Sequence, residues 1–362
     1  MDRLFLNFCK FIFIGSFSFW SSLLLAQAHN DGSGLRSVVA ADGVGHFKLN
    51  KDGEANDAFQ FREAEVTFYA PIDHLFDGKL SLAAHREAGV SLFEMHEAVI
   101  SSAKLIPYSS FRLGQYFLGI GRLNQIHRHD WSFISAPKVH REFFGEEGVL
   151  DTGGEYSLLL PLSFYLNITA SVVNGWTYGH SHDEGSKPIV PTHYGRISTF
   201  WELSEDVGAA FGLNYLQRKA ADATQMRLVG ADAVIKWRRG SYNIFLIQGE
   251  LWQRHLKPKV GDRDSVFGGY LFSQFGFSKS LFTGCRFDYY TVTSLKDANG
   301  KYVDNKSYAI VPTLTYKSSE FATFKLNVHH DTDVQAKRGD SISNTIELQT
   351  TFIIGAHPAH DF

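Results

Sequence analysis

Histidine is the residue type in this chain best placed to do chemistry. There are 16 of them, and several stand beside carboxylates at short spacing. His127-Arg128-His129-Asp130 is followed by His140, His180-Ser181-His182-Asp183-Glu184 is the densest run, and His329-His330-Asp331 and the pair His357 and His360 come later. Imidazole nitrogen and carboxylate oxygen are ligands for Zn²⁺, Ni²⁺ or Cu²⁺. His127, His129, His140, His180, His182 and Asp183 are therefore the candidate metal ligands, with zinc the candidate ion. The spacing is not that of a structural site, which gathers four ligands. Polar loops that happen to contain histidine are the plainer reading.

Hydrolysis is the other chemistry to weigh. A Ser–His or Asp–His site needs its partners to converge at one rim of the fold. His85 and His96 fall on neighbouring predicted strands and serines are abundant, but no spacing singles out a nucleophile. The chain reads as a non-enzyme unless a serine, a histidine and a carboxylate meet at one rim.

The elements that must position these residues are strands. Leu166, Ile168, Ala170 and Val172 alternate with Asn167, Thr169 and Ser171; Phe245, Ile247 and Leu251 alternate with Gln248 and Glu250; Ile346, Leu348, Phe352 and Ile354 alternate with Glu347, Gln349 and Thr351. This is the period of a strand with one apolar and one polar face. The pattern places strands at 36–49, 58–70, 78–86, 90–101, 109–118, 152–160, 163–174, 192–203, 207–217, 224–237, 241–253, 265–277, 280–293, 305–317, 320–330 and 341–354. Their connections alternate between short turns, such as Leu203-Ser204-Glu205-Asp206 and Arg238-Arg239-Gly240-Ser241, and longer polar loops. Short periplasmic turns and long external loops mark an outer-membrane barrel. The fold class is all-β: a transmembrane antiparallel β-barrel of about 16 strands.

The third external loop, Gly119 to Asp151, is the longest and is expected to narrow the lumen. Glu94, His96, Arg112, Glu146 and Glu147 are the candidate pore and constriction residues, with Glu94 and His96 on one face of their strand and Glu97 on the other. Glu63, Glu65, Asp232, Glu250, Asp288 and Glu347 are further expected lumen acids, and Arg196, Lys236, Arg286 and Lys325 further lumen bases. A lumen of mixed sign has a transverse field but lacks the single-sign ring that selects strongly for charge.

Residues 1–28 read as a secretory signal: basic Arg3 and Lys10, an apolar run from Phe11 to Leu25, then Ala26-Gln27-Ala28 as the cleavage site. Residues 29–35 are a flexible periplasmic entry and 36–362 the barrel. Beyond the signal no apolar run approaches the roughly 20 residues of a membrane helix, and one cysteine, Cys285, remains, which excludes an internal disulfide. The formal net charge of −3 becomes −4 when Asp2, Arg3 and Lys10 leave with the signal. So mild a charge argues against a nucleic-acid partner. Export to the outer membrane of a Gram-negative-type cell follows, with membrane lipid and small solutes or ions as partners.

Two stretches carry a family resemblance. One is Glu97-Ala98-Val99, Phe111-Arg112-Leu113-Gly114-Gln115-Tyr116-Phe117, Gly121-Arg122-Leu123-Asn124 and His127-Arg128-His129; the other runs from Phe143-Phe144-Gly145-Glu146-Glu147 to Gly153. With the tail Gly355-Ala356-His357-Pro358-Ala359-His360 they resemble a porin-like outer-membrane family, described as uncharacterised porins or zinc-regulated outer-membrane proteins. The first stretch is also similar to phosphate-selective porins of the O/P type. The resemblance implies a 16-stranded barrel, solute passage and an association with zinc, and porins are often homotrimers. Phosphate-selective porins line the pore with Lys and Arg, whereas this lumen set is mixed. The expected function is passive diffusion of small polar solutes or ions; the alternative is zinc capture by the histidine-rich external loops.

Overall fold

The computed structural model describes residues 34–49, 58–87, 90–175, 188, 190–220, 223–259, 263–294, 305–335 and 341–355. The expected signal, residues 1–28, the run His180 to Glu184 and the tail after Gly355 lie outside these residues.

The described residues hold sixteen antiparallel strands: β1 (Arg36–Lys48), β2 (Ala58–Pro71), β3 (Asp77–Glu87), β4 (Val90–Ser102), β5 (Ser109–Phe117), β6 (Leu150–Leu159), β7 (Tyr165–Val173), β8 (Thr192–Ser204), β9 (Val207–Lys219), β10 (Gln225–Arg239), β11 (Tyr242–Lys257), β12 (Asp264–Gly276), β13 (Leu281–Val292), β14 (Asn305–Lys317), β15 (Ala322–Gln335) and β16 (Ser341–Gly355). Each pairs with its sequence neighbours, and β1 closes on β16 from Val38↔Gly355 to Lys48↔Thr345. β15 extends to Gln335, beyond the end expected at 330, so Asp331 lies on the strand with His329 and His330.

The alternation sorts the side chains. Ile168, Val172, Leu251, Leu348, Phe352 and Ile354 face outward and are exposed, while Thr169, Ser171, Gln248, Glu250, Glu347, Gln349 and Thr351 are buried inside. Water is absent from the hydrocarbon core, so a sheet there must close on itself to satisfy every backbone amide. Outward aromatics gather at the short-turn end, where Phe164 stacks on Trp201 at 5.7 Å and Phe275 meets Phe277 at 5.0 Å. Such rings suit the boundary between hydrocarbon and headgroups.

Two β-bulges reset the alternation beside the lumen. Between β1 and β2 the register skips Arg62, and between β3 and β4 it skips His96. A bulge places an extra residue on one strand and re-aims its side chain. Arg62 and Glu63 consequently both turn inward, as do His96 and Glu97. This corrects the sequence expectation that Glu97 faces away from His96.

Gly114 on β5 has φ +126°, and a Cβ there would stand 2.0 Å from the Ala98 carbonyl oxygen of β4. Gly195 on β8 has room, its nearest neighbour being 3.5 Å away. Gly114→Ala is therefore expected to cut sharply the yield of heat-modifiable, folded barrel on refolding into detergent, while Gly195→Ala folds as the parent does. Gel mobility of unheated against boiled samples checks both.

Candidate functional site

The connection from β5 to β6, Leu118 to Val149, folds into the barrel and carries helix α1 (Lys138–Phe144). A segment buried in this way must find partners for its backbone polar groups, and side chains of the wall supply them. The amides of Arg122 and Leu123 donate to Glu250 Oε1 at 3.2 and 2.6 Å. The Gly121 amide donates to Asn214 Oδ1 (2.9 Å) and the Gly119 amide to the Tyr194 hydroxyl (3.1 Å). From other strands, Arg62 of β2 donates to the Ile134 carbonyl at 2.9 Å, Arg286 of β13 to that of Ser135 at 2.6 Å, and Lys325 of β15 to that of Trp131 at 2.6 Å. Glu250, Arg286 and Lys325, expected as lumen charges, thus hold the loop. Gly121 takes φ +61° here, and a Cβ on it would lie 2.6 Å from Glu250 Oε2.

The loop also has an apolar underside. Leu118, Ile120, Val139, Phe143, Phe144 and Val149 pack against inward-facing Val173, Tyr194, Leu216, Leu228, Trp252 and Val266. Trp131 and Phe133 pack with Leu246, Tyr270 and Phe272. Each such fully buried side chain contributes roughly 1.5–3 kcal/mol. His140 sits inside this packing, its ring 5.4 Å from that of Trp131 and 5.2 Å from that of Phe144. Burial pushes its imidazole down to about 3, so it is neutral.

The facing side of the loop is ionic. Arg128 bridges Glu63 (3.1 Å) and Glu147 (2.5 Å). His127 places Nδ1 2.9 Å from Glu65 Oε2 and Nε2 3.0 Å from Glu97 Oε2, and Lys79 pairs with the same Glu97. His96 Nδ1 is 3.1 Å from Glu65 Oε2, and its Nε2 is 3.7 Å from Glu147 Oε2. Burial alone would lower the His127 imidazole; Glu65 and Glu97 overcome this and push it up to about 10.

The loop separates two cavities that share no lining residue. The larger, about 1010 Å³, opens toward the short-turn end and is walled by ion pairs of both signs: Arg112 to Glu155 at 2.7 and 3.0 Å, and Arg196 to Asp232 at 2.8 Å. Arg122, Lys79, His127 and His129 line its upper part. The smaller, about 330 Å³, lies toward the long-loop end, between α1 and the walls, with His46, Lys138, Arg141, Glu146, Asp331 and Glu347 in its lining.

The expected constriction residues are thus divided. His96 and Glu147 meet at the ionic side of the loop, Arg112 stands below it on β5, and Glu146 faces the upper cavity, its side chain 57% exposed and 4.0 Å from Arg141. Glu94 shares a group of potential ligands with His85 and His96. Of the candidate metal residues, His127 joins Glu65 and Glu97, His129 stacks on His127 at 5.7 Å, and His140 stands apart in the aromatic nest. His180, His182 and Asp183 lie outside the described residues. Sequence reading missed Glu65 and Glu97 as histidine partners, because their juxtaposition depends on the His96 bulge and on where the loop lands.

One serine, histidine and carboxylate do converge. Ser135 Oγ is 3.1 Å from His329 Nε2, and Asp331 Oδ2 is 3.8 Å from His329 Nδ1. Glu347 Oε2, however, lies 2.7 Å from the same Nε2 and 3.0 Å from Ser135 Oγ. The hydroxyl and the imidazole both direct their protons at Glu347, so His329 is not placed to take the Ser135 proton. The cluster instead ties the loop to β15 and β16.

No family model matches the sequence. An uncharacterized protein of Aquifex aeolicus (strain VF5) is 25% identical over 346 residues, spanning 86% of this chain and 72% of that one. Among solved structures, an anion-selective porin from Comamonas acidovorans superposes with a TM-score of 0.63 at 10% identity, over 88% of this chain and 99% of that one. The outer membrane channel DcaP of Acinetobacter baumannii gives 0.62 at 10% identity, over 88% and 96%. OmpT of Vibrio cholerae, an outer membrane protein in a trimer form, gives 0.59 at 9% identity, over 88% and 99%. The class is therefore that of the closed antiparallel barrels. Within it, the chain has the 16-stranded fold of the outer-membrane porins.

His140 sets a pH dependence. Its pKa is depressed relative to about 6.5 for the free side chain, so between about 6.5 and 3 the undocked loop binds the extra proton and docking weakens as pH falls. The full effect is on the order of 5 kcal/mol. His140→Phe is expected to remove part of the acid-induced rise in proteolysis of residues 118–149, read by mass spectrometry of the cleaved loop between pH 7 and pH 4.

Proposed function

We propose that this protein is an outer-membrane channel for passive diffusion of small polar solutes or ions, with the loop 118–149 as its constriction. The observation that carries the reading is the position of that loop: it crosses the lumen between two cavities with charged and polar walls. The short turns then face the periplasm and the long connections the exterior, as in porins. The fold of the porin and channel relatives supports the reading, and the trimer form of one of them supports a homotrimer in the membrane.

The wall charges bear on selectivity. Arg112 is matched by Glu155, Arg196 by Asp232 and Arg128 by Glu63 and Glu147. Charges paired at such distances largely cancel in the far field, and a selective filter needs a ring of one sign. A narrow pore with weak preference between small cations and anions is the consequence.

Planar-bilayer recording of the folded protein tests this. The expected result is discrete conductance steps with a reversal potential close to zero in a KCl gradient. Folded, inserted protein that gives no steps would count against the channel, and a reversal potential near the potassium or chloride limit would count against the charge-balanced lumen.

A further inference from the structure

At the ionic side of the loop, two histidines converge on one carboxylate oxygen. His96 Nδ1 and His127 Nδ1 lie 3.1 and 2.9 Å from Glu65 Oε2, and ligand atoms of the three residues all fall within 4.8 Å of one another. Ligands around a tetrahedral zinc ion at 2.0–2.1 Å are about 3.4 Å apart. The three side chains come from three places in the fold, namely β2, the bulge of β4 and the loop, and no short sequence motif holds them.

The outer nitrogens strengthen the case. Metal-bound histidine usually presents its other ring nitrogen to a carboxylate, which fixes the tautomer and raises ligand basicity. Here His127 Nε2 is 3.0 Å from Glu97 Oε2, and His96 Nε2 is 3.7 Å from Glu147 Oε2. The His127 imidazole is thus backed by a hydrogen bond and the His96 imidazole faces a carboxylate at longer range, while both Nδ1 atoms point at Glu65. Glu63, Glu65, Glu97 and Glu147 bring four carboxylates to the neighbourhood, against the fixed cations Lys79 and Arg128. Glu65, Glu97 and His127 also line the larger cavity, which gives an ion a path to them.

From this geometry we propose that Glu65, His96 and His127 form a binding site for a divalent cation of the zinc class, open to the larger cavity and joining the loop to the wall. The three donors leave a fourth position for water or a passing solute oxygen, the arrangement of an accessible zinc site. The bound ion replaces the hydrogen bonds between each Nδ1 and Glu65 and releases those protons. It also cross-links loop and strands, so occupancy resists movement of the constriction. The site is distinct from the run His180 to Glu184, and its existence does not require that the barrel conduct.

The test uses the full mature chain, folded in detergent, with His180, His182, His357 and His360 replaced by Ala. Titration with ZnCl₂ by calorimetry should show one saturable equivalent per chain. X-ray absorption at the zinc edge should show two nitrogen ligands and oxygen at about 2.0–2.1 Å. His127→Gln and His96→Gln should each abolish saturable binding, Glu97→Gln should weaken it by about 10–100-fold, and replacement of the exposed His255 on β11, His255→Gln, should leave it unchanged. Absence of saturable binding, or affinity unmoved by His96→Gln and His127→Gln in barrels that keep heat-modifiable mobility, would overturn the site. If those variants fail to fold, the absorption spectrum of the parent decides: a shell without two nitrogens overturns it.

Discussion

A strand that crosses hydrocarbon has nowhere to leave an unpaired amide. The whole molecule depends on the meeting of β1 and β16, whose residues pair from Val38↔Gly355 to Lys48↔Thr345. That closure removes both sheet edges and fixes which face of every strand looks inward. With the faces fixed, Glu65, Asp232, Glu250, Arg286 and Glu347 are committed to the interior. Buried charges of this kind need partners, and the fold supplies them from neighbouring strands and from the loop.

The loop is where this obligation is met most densely. One side of it is apolar, and the wall opposite that side departs from the polar lumen rule with Leu216, Leu228, Trp252 and Val266. Its other side is ionic, where Arg128 and His127 engage Glu63, Glu65, Glu97 and Glu147. Wall carboxylates and guanidinium groups take up the loop backbone between these sides. Such a segment is held from several directions at once, which suits a fixed constriction better than a mobile lid. The loop lies between the two cavities; Arg112–Glu155 and Arg196–Asp232 pair on the wall of the larger, and Glu347, which accepts from Ser135 of the loop, lines the smaller.

Most of the barrel could be read from the period of two. Leu166 to Val172 and Ile346 to Ile354 alternate cleanly because one side meets lipid and the other a polar interior. Turn chemistry marked the short connections, and the long loop between β5 and β6 stood out by length alone. What could not be read came from breaks in periodicity. Arg62 and His96 are extra residues in their strands, and only pairing to a neighbour reveals that each turns inward beside the next residue. The apolar inner wall was hidden for a related reason: inward Leu246 and Trp252 flank outward Leu251 in a strand rich in apolar residues, so sequence alone could not say which of them faced a loop. His140 shows the same limit, since only the folded loop places it between Trp131 and Phe144.

The central claim is that residues 118–149 lie inside the lumen and set its aperture. The packing that joins this loop to the barrel is with inward-facing side chains of the strands, and the sixteen strands close without it. Replacing residues 120–148 by a short Gly-Ser linker should therefore leave a heat-modifiable barrel. The most direct measurement is the single-channel conductance of that variant beside the parent. The account predicts a several-fold larger step for the loop-deleted barrel, with larger neutral polymers admitted. Equal conductance and equal polymer exclusion in the two proteins would contradict it.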